Sequence, residues 1–237
     1  MNNMFKKNPI IEFEPAIDVY EESIVSAKKC IPNWYKKIPL WKNNKIIDEE
    51  KETFNLSLKH CVPFLDSLTT GYIITLPYDL LVKKENDYPY VVWPIGVEHN
   101  PRARNEVAVL EMVPSNHYPI EYTWNPCVAF KIPKGYSVLF THPLNRNDLP
   151  FTTLSGIIDG GYVLYSHGNI PFYLKKDFEG IIPQGTPIAQ LIPFRQEKWK
   201  LKRKNGLLKI GEQNNILSGS LIKGWYKNTF WTQKRFE

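Results

Sequence analysis

Prolines interrupt this chain at short intervals, and their spacing constrains the fold more than any other feature. Of 237 residues, 19 are proline and 13 are glycine, and the prolines recur from Pro63 to Pro193. A proline inside an α-helix removes a backbone hydrogen bond and clashes with the preceding turn, so long helices are disfavoured here. The segments between the prolines are rich in Val, Ile, Tyr, Phe and Thr, which favour strands. The sequence therefore predicts a mainly β domain.

The predicted strands are short and closely spaced. Turns containing proline and asparagine join them, which favours a barrel-like or sandwich arrangement. Strands and helices do not alternate in this region, so a doubly wound α/β fold is not expected. The nine predicted strands span 54–60, 71–76, 90–94, 106–112, 121–130, 136–141, 162–166, 171–175 and 188–193.

Composition predicts three segments along the chain. An N-terminal arm, partly helical and aromatic, spans 1–52; the β domain spans 53–195; and a basic aromatic tail spans 196–237. In the arm, Pro15 is expected to open a helix that runs to about Lys29. The aromatic residues that follow, Trp34, Tyr35 and Trp41, are expected to pack on the main domain rather than to stack on a ligand.

The tail is the most basic part of the chain. The segment 195–204 (RQEKWKLKRK) carries six basic residues and one acidic residue, and 224–236 mixes aromatic with basic residues. One interpretation is a surface for nucleic acid or a membrane. We favour a solvated basic face together with an aromatic segment that docks on the core or on a neighbouring subunit.

The overall charge is only mildly basic. Lys and Arg number 30 against 24 Asp and Glu, which gives a formal net charge of +6. This excess permits a nucleotide or another anionic ligand, but nucleic acid is not expected as a partner, because its binding needs charge focused on one face.

Cysteine usage and hydropathy bound the location of the protein. Cys30, Cys61 and Cys127 are widely spaced, so neither a disulfide framework nor a zinc site is expected. No apolar run reaches the about 20 residues that span a bilayer, and Glu12 and Glu14 interrupt any secretory signal. We expect a protein of the cytoplasm, with no membrane partner.

The segment 156–162 (GIIDGGY) carries the most chemical information. Two isoleucines lead to Asp159, whose carboxylate is a candidate general base toward water. Gly160 and Gly161 permit positive φ and the close approach of a ligand to the backbone, and Tyr162 offers a flat ring for a sugar or base. The alternative is a plain Asp-Gly hairpin turn, for which this dipeptide is a strong signal.

Two further segments accompany it: 132–136 (IPKGY) lies upstream and 182–190 (IPQGTPIAQ) lies downstream. In this order, the P-x-G-Y turn, the G-I-I-D-x-x-Y motif and the G-x-x-I-A-Q strand resemble the dUTPase and dCTP deaminase superfamily. The resemblance covers about residues 120 to 195, with boundaries as loose as such patterns allow. It implies a β-clip fold, usually trimeric, with sites at subunit boundaries.

The resemblance also implies roles for single residues. Asp159 matches the carboxylate that activates water, Tyr162 matches the tyrosine packed on the deoxyribose, and Gln190 matches a glutamine near the phosphates. A nucleotide hydrolase would need Mg²⁺; otherwise no cofactor is expected. The histidines show no metal-ligand spacing, so no metal site is expected in the protein itself.

The sequence departs from the superfamily pattern where phosphate would bind. In place of P-R-S-x-L-A it has 142–146 (HPLNR), which lacks the serine and displaces the arginine to Arg146. The glycine-rich C-terminal motif has no counterpart. An aspartic protease is a poorer alternative, because Gly160 lacks the hydroxyl that follows that enzyme's aspartate.

A second resemblance is to an uncharacterised family of bacteria and their viruses. It rests on 61–77 (CVPFLDSLTTGYIITLP), on the PLNR turn and on the closing strand. Together with the Lys-, Asn- and Ile-rich composition, it suggests a bacteriophage protein located in the host cytoplasm or in the virion.

Two functional hypotheses follow. The first is a divergent, non-catalytic dUTPase-like β-clip protein that serves as a binding or assembly module, for example a virion structural protein, and forms a homo-oligomer. The second is a nucleotide hydrolase that uses Asp159 as base, Tyr162 as sugar platform, and Arg146 or lysines of the tail on phosphate.

Overall fold

The structure is a computed structural model that describes residues 8–16, 18–50, 53–86, 88–94, 101–106, 110–166, 170–220 and 224–237. Internal contacts divide the chain into two compact units, each built from two stretches of sequence. The β unit comprises Met1–Cys30 and Gly71–Gln196, and the tail unit comprises Ile31–Thr70 and Glu197–Glu237.

The described residues form seventeen β-strands and four α-helices. The strands are β1 (Glu12–Pro15), β2 (Ile24–Ser26), β3 (Ile47–Asp48), β4 (Thr53–Phe54), β5 (Tyr72–Thr75), β6 (Leu80–Glu85), β7 (Tyr88–Val92), β8 (Arg102–Glu106), β9 (Ile120–Trp124), β10 (Val128–Lys131), β11 (Tyr136–Thr141), β12 (Phe151–Thr153), β13 (Gly156–Asp159), β14 (Val163–Ser166), β15 (Ile170–Leu174), β16 (Gly180–Ile182) and β17 (Pro187–Arg195). The helices are α1 (Asn33–Lys37), α2 (Val62–Thr69), α3 (Leu207–Ser220) and α4 (Trp225–Thr229). Short 3-10 helices span Asp18–Ser23, Ala27–Cys30, Lys42–Asn44, Leu58–His60 and Leu110–Met112.

The β unit contains four antiparallel sheets. A five-stranded sheet has the order β13-β11-β17-β5-β2, and a four-stranded sheet has the order β12-β15-β9-β8. Two three-stranded sheets have the orders β1-β10-β14 and β16-β6-β7. The predicted mainly β fold is confirmed, and the only α-helix described between Pro63 and Pro193 is the eight-residue α2.

An aromatic cluster forms the centre of the β unit. Trp124 stacks on Phe172 with ring centroids 3.6 Å apart, and Phe151 meets Trp124 edge-on at 4.8 Å. The Trp124 Nε1 group donates to Thr153 Oγ1 at 3.0 Å, and this hydroxyl donates to the Ile188 carbonyl at 2.6 Å. The polar atom of the buried indole is therefore satisfied, as a buried hydrogen-bonding group requires.

The predicted helix from Pro15 to about Lys29 is wrong. Pro15 ends β1, and the middle of the predicted helix contains β2, which pairs with β5. Only two short 3-10 helices flank β2. Ile24 and Val25 lie opposite Ile74 and Ile73. Pairing of β-branched residues with a buried strand thus outweighs the helical spacing of this segment.

Three predicted strands also need correction. In 54–60, only Phe54 belongs to a strand; 58–60 is a 3-10 helix whose first turn is capped by Ser57 Oγ, which accepts from the Lys59 amide. In 106–112, β8 ends at Glu106 and a 3-10 helix begins at Leu110, while 107–109 lie outside the described residues. The predicted strand 121–130 is interrupted at 125–127 and forms β9 and β10, which belong to different sheets. The other six predicted strands overlap observed ones, and 136–141 coincides with β11.

The tail unit is held by aromatic packing. Tyr35 stacks on Phe64 of α2 with ring centroids 5.9 Å apart. Near the end of the chain, Trp231 Nε1 donates to Asp66 Oδ2 at 2.8 Å and Lys234 Nζ donates to the same oxygen at 2.7 Å. The aromatic end of the tail therefore docks on α2. Among the described residues, no helix is both long and apolar enough to cross a bilayer.

Candidate functional site

The GIIDGGY segment lies at a bend in a long two-stranded ribbon. The strands β10 and β11 follow one another along one side, and β13 and β14 follow one another along the other. Lys131 pairs with Val163 and Ser137 pairs with Asp159, so that five residues (132–136) lie opposite three (160–162). We call these two facing segments, together with Asp159, the crease. Since β13 and β14 pair with other strands and not with each other, the hairpin alternative is wrong.

The two glycines of the crease are required by the backbone. The Gly160 amide donates to the Tyr136 carbonyl at 2.8 Å, and the Gly161 amide donates to the Ile132 carbonyl at 3.0 Å. A Cβ atom on Gly160 would lie 2.3 Å from the Pro133 carbonyl oxygen. Gly161 has a φ of 107°, which disfavours any side chain. Gly160 therefore serves the close approach of the facing segment, and Gly161 supplies the positive φ of the bend.

Asp159 is exposed, and one of its two carboxylate oxygens is engaged. Its Oδ1 accepts from Ser137 Oγ at 2.6 Å and from Gln196 Nε2 at 3.1 Å. Gln196 Nε2 also donates to Ser137 Oγ at 3.0 Å, which closes a three-membered network. Among the described residues, Oδ2 has no hydrogen-bond partner. The carboxylate is thus held in one orientation with a free oxygen toward solvent.

Tyr162 completes the crease on its outer side. The residue is 55% exposed, so the ring is open to a ligand. Gly161 leaves this side of the crease open, because the nearest atoms to a Cβ built there belong to the Lys134 side chain, 3.9 Å away. The Asp159 carboxylate, the Tyr162 ring and the Lys134 side chain of the crease are therefore all exposed.

Gln190 lies inside the β unit. It is 1% exposed, and its Oε1 accepts from the Leu144 amide at 2.8 Å. Leu144 belongs to the segment 142–146 that stands in place of the superfamily's phosphate motif; we call this segment the clamped turn. In this chain the glutamine oxygen is therefore used to hold the backbone of that turn.

Arg146 is paired within the same region. Its Nε and Nη2 groups donate to the two carboxylate oxygens of Asp148, each at 2.9 Å. Only 13% of the arginine side chain is exposed, against 41% for Asp148. This two-pronged pair offsets the guanidinium charge and occupies one of the two edges through which an arginine can bind a carboxylate or phosphate.

His142 fixes the start of the clamped turn. Its Nδ1 accepts from the Thr153 amide at 3.2 Å, so Nε2 carries the proton and donates to the Arg146 carbonyl at 3.1 Å. Burial lowers the pKa of the imidazole, and the nearby Lys175 and Arg146 lower it further. The ring is therefore neutral and serves as a bridge between two backbone segments.

The crease and the clamped turn lie at opposite ends of β11. Asp159 pairs with Ser137 near the beginning of this strand, and Gln190 pairs with Thr141 at its end. Four residues of extended chain separate the two positions by about 13 Å. Within one chain, Asp159 and Tyr162 are therefore together, while Gln190 and Arg146 form a separate group.

Neither group fits a magnesium ion held by the protein. Mg²⁺ prefers octahedral oxygen ligands and is usually bound through one or two carboxylates together with substrate phosphates. The described residues contain no cluster of three or more His, Cys, Asp or Glu side chains that could hold a metal. Asp148, which lies two residues after the clamped turn, is already paired with Arg146.

Comparisons with known proteins give likenesses of structure only. No family model matches the chain, and no curated protein matches it. A mutant dUTPase of Staphylococcus bacteriophage 80alpha with dUpNHpp is 19% identical, over 57% of this chain and 76% of that one, with a TM-score of 0.28. A second mutant of the same enzyme is also 19% identical, over 57% and 85%, again at 0.28.

A mutant dUTPase from phage phi11 of S. aureus, described for the coordination of a structural Mg(II) ion, is 18% identical. It covers 57% of this chain and 83% of its own length, with a TM-score of 0.28. Likenesses at this TM-score carry no argument about function, so the proposals below rest on the geometry of this chain.

Sequence reasoning missed the partners that decide the state of each site residue. Ser137 and Gln196 orient Asp159, and Asp148 occupies Arg146. The two-residue spacing of Arg146 and Asp148 in a turn was a usable signal for a local ion pair. The contact between Gln196 and Asp159 joins residues 37 apart, and no sequence pattern indicated it.

Proposed function

We propose that this chain is a non-catalytic β protein, divergent from the dUTPase type, that serves as a binding or assembly module of a bacteriophage. The observation that carries the proposal is the pairing of Arg146 with Asp148, in which both carboxylate oxygens meet the guanidinium at 2.9 Å. A triphosphate needs several charge-assisted donors. The arginine nearest the expected phosphate position is already neutralised.

The state of Gln190 supports the same conclusion. The side chain is 1% exposed and holds the Leu144 amide. A ligand at this position would have to displace an internal hydrogen bond, and that would leave a buried backbone N–H without a partner. The polar groups of the clamped turn therefore favour a structural role.

The outer side of the crease supports binding or assembly. The strands β13 and β14 are edge strands of their sheets, and Ile157, Tyr162, Val163 and Tyr165 along them are 64%, 55%, 60% and 48% exposed. Open sheet edges with apolar side chains are typical of surfaces that pair with another chain. We propose that this edge contacts a further copy in a homo-oligomer, for which a trimer is the expected state.

The test measures oligomeric state and nucleotide response on the full chain. Light scattering after size exclusion should give an oligomer for the native protein and a smaller species for Ile157→Lys. The matched control is Ile181→Lys, which changes a 59% exposed isoleucine on β16, an edge strand of a different sheet, and should leave the oligomer intact. A native monomer, or equal effects of both variants, would contradict the assembly role.

A nucleotide hydrolase is the second candidate, and one observation favours it. Asp159 keeps Oδ2 without a partner among the described residues, while Ser137 and Gln196 orient Oδ1. A carboxylate held in this way can accept a proton from water. Incubation with a panel of deoxynucleoside triphosphates and added Mg²⁺ separates the candidates. Turnover that Asp159→Asn abolishes and Asp177→Asn retains would overturn the non-catalytic proposal; absence of both turnover and thermal shift would exclude the hydrolase.

A further inference from the structure

We propose that the segment 198–204 (KWKLKRK), here called the basic segment, binds single-stranded nucleic acid through base stacking on Trp199 and phosphate contacts from its cations. The proposal concerns the tail unit and is independent of the function proposed above for the β unit. It departs from the sequence-based expectation that nucleic acid is not a partner.

The charge of the basic segment is concentrated and unpaired. Lys198, Lys200, Lys202, Arg203 and Lys204 are all exposed. Within the described part of the chain, none of the five has an ion pair with a carboxylate. The net charge of +6 for the whole protein is therefore focused here, in seven consecutive residues that contain five cations and no acid.

Trp199 is the observation that a merely solvated basic face does not explain. Its side chain is 86% exposed, and Leu201 is 105% exposed. Tryptophan has a large apolar surface that folded proteins usually bury in the core or at an interface. A bare indole between two lysines indicates a surface that a partner covers.

The geometry suits a single strand. The residues 196–204 form neither helix nor strand, so the backbone can follow a flexible polymer. Lys198 and Lys200 directly flank Trp199 in the sequence, and all three side chains are exposed. An indole can then stack on an unpaired base while the two ammonium groups reach neighbouring phosphates.

A groove extends the basic segment toward α3. It has a volume of about 490 Å³, and its lining includes Arg203, Lys204, Asn205 and the first residues of the helix. The groove shares two cations with the basic segment and contains one acid, Glu212, so a bound strand would pass from the Trp199 platform along a surface that keeps an excess of positive charge. Double-stranded DNA stacks its own base faces, so the stacking contribution favours single strands.

The experiment measures fluorescence anisotropy of a labelled oligothymidylate of roughly 20 nucleotides, long enough to span one such site, against the full chain at several salt concentrations. If all five cations contact phosphate, log K should fall against log salt with a slope of about −3.5. Trp199→Ala should weaken binding roughly 5- to 150-fold, which corresponds to the loss of one stacked base. Trp199→Phe should retain most of the affinity.

Matched variants distinguish binding by the cations of the basic segment from binding by the general positive charge of the protein. Lys198→Ala with Lys200→Ala should reduce the steepness of the salt slope by about 1.4. Lys28→Ala with Lys29→Ala, which removes two exposed lysines from the β unit, should leave both affinity and slope unchanged. Circular dichroism confirms that each variant is folded.

Four outcomes would overturn the proposal: no binding of the oligonucleotide, unchanged binding by Trp199→Ala, equal binding of inorganic polyphosphate, or equal loss with the Lys28 and Lys29 control. Vesicles that contain phosphatidylserine serve as the rival polyanionic surface. Binding to these vesicles but not to the oligonucleotide would assign the basic segment to a membrane surface instead.

Discussion

The crease and the clamped turn occupy the two ends of β11, and they use their polar side chains in opposite ways. At the crease, an exposed carboxylate is oriented by Ser137 and Gln196 and keeps one oxygen free of partners in the described structure. At the clamped turn, Gln190 of β17 accepts a hydrogen bond from the Leu144 amide, and Arg146 pairs with Asp148. The difference teaches that a motif residue must be judged by its partners, because hydrogen bonds within the protein decide whether a polar side chain remains available to a ligand.

Backbone packing explains why the two ends differ. The crease brings two backbones together at Gly160, and its Asp159 and Tyr162 side chains are left exposed to solvent. The clamped turn has no regular structure, so its amides need side-chain acceptors. Gln190 provides one for the Leu144 amide at 2.8 Å, and His142 of the turn itself accepts from the Thr153 amide of β12 at 3.2 Å.

Gly160→Ala should have the largest effect, because it breaks the crease. The new Cβ would meet the Pro133 carbonyl at 2.3 Å and the Tyr136 carbonyl at 2.8 Å, neither of which can move without its strand. We expect a loss of about 3 kcal/mol or more in the free energy of unfolding, measured by chemical denaturation. Gly161→Ala, which is strained in φ but uncrowded, should cost less, about 1 to 3 kcal/mol. The reverse order would contradict the geometry of the crease.

Gln190→Leu sharpens the comparison from the other end of β11. Leucine is of similar size but leaves the Leu144 amide without its acceptor, so we expect a loss of about 1 to 3 kcal/mol in unfolding free energy. Gln196→Leu is the matched change at the crease, where the side chain is exposed, and it should stay within about 0.5 kcal/mol. Urea denaturation of both variants measures the difference, and equal losses would show that the two ends are not distinct.

The pH dependence of stability gives the smallest of the three effects. Burial lowers the pKa of His142 in the folded protein, whereas the unfolded chain takes up its proton near pH 6.5. The contribution of His142 to stability is therefore present above about pH 6.5 and is lost as the pH falls below it, by at most about 1.4 kcal/mol per pH unit. Thermal unfolding between pH 7 and 5 measures it, and His142→Gln should flatten the profile. An unchanged profile in that variant would assign the dependence to other groups.

Local patterns were sufficient to predict several elements. The strand-forming residues of 136–141, between prolines, predicted β11 with its observed bounds, and proline spacing correctly limited the helices of the central region. Other elements depend on distant partners. The strand β2 forms because β5 lies beside it, and the helix α3 was not predicted. The helical spacing of 15–29 is a local signal that a long-range strand pairing overrides.

The candidate site divides in the same way. The GIIDGGY segment predicted glycines that permit positive φ and the close approach of a ligand; Gly161 has a φ of 107°, whereas the backbone of 133–136, and not a ligand, fills the space beside Gly160. Its orienting partners come from β11 and from the residue after β17, and neither is near Asp159 in sequence. Gln190 and Arg146 were predicted to bind substrate, and that role stays a prediction; the structure adds the internal bonds with which a substrate would compete.

The sequence by itself determined the β character of the chain, the positions at which the backbone must bend, and the concentration of cations in 198–204. These properties follow from residue chemistry: proline excludes helix, glycine permits the close approach of strands, and lysines repel one another into solvent. Only the tertiary structure decided which polar side chains remain available to a ligand, because a hydrogen bond between residues 37 or 46 apart exists only after the strands have paired.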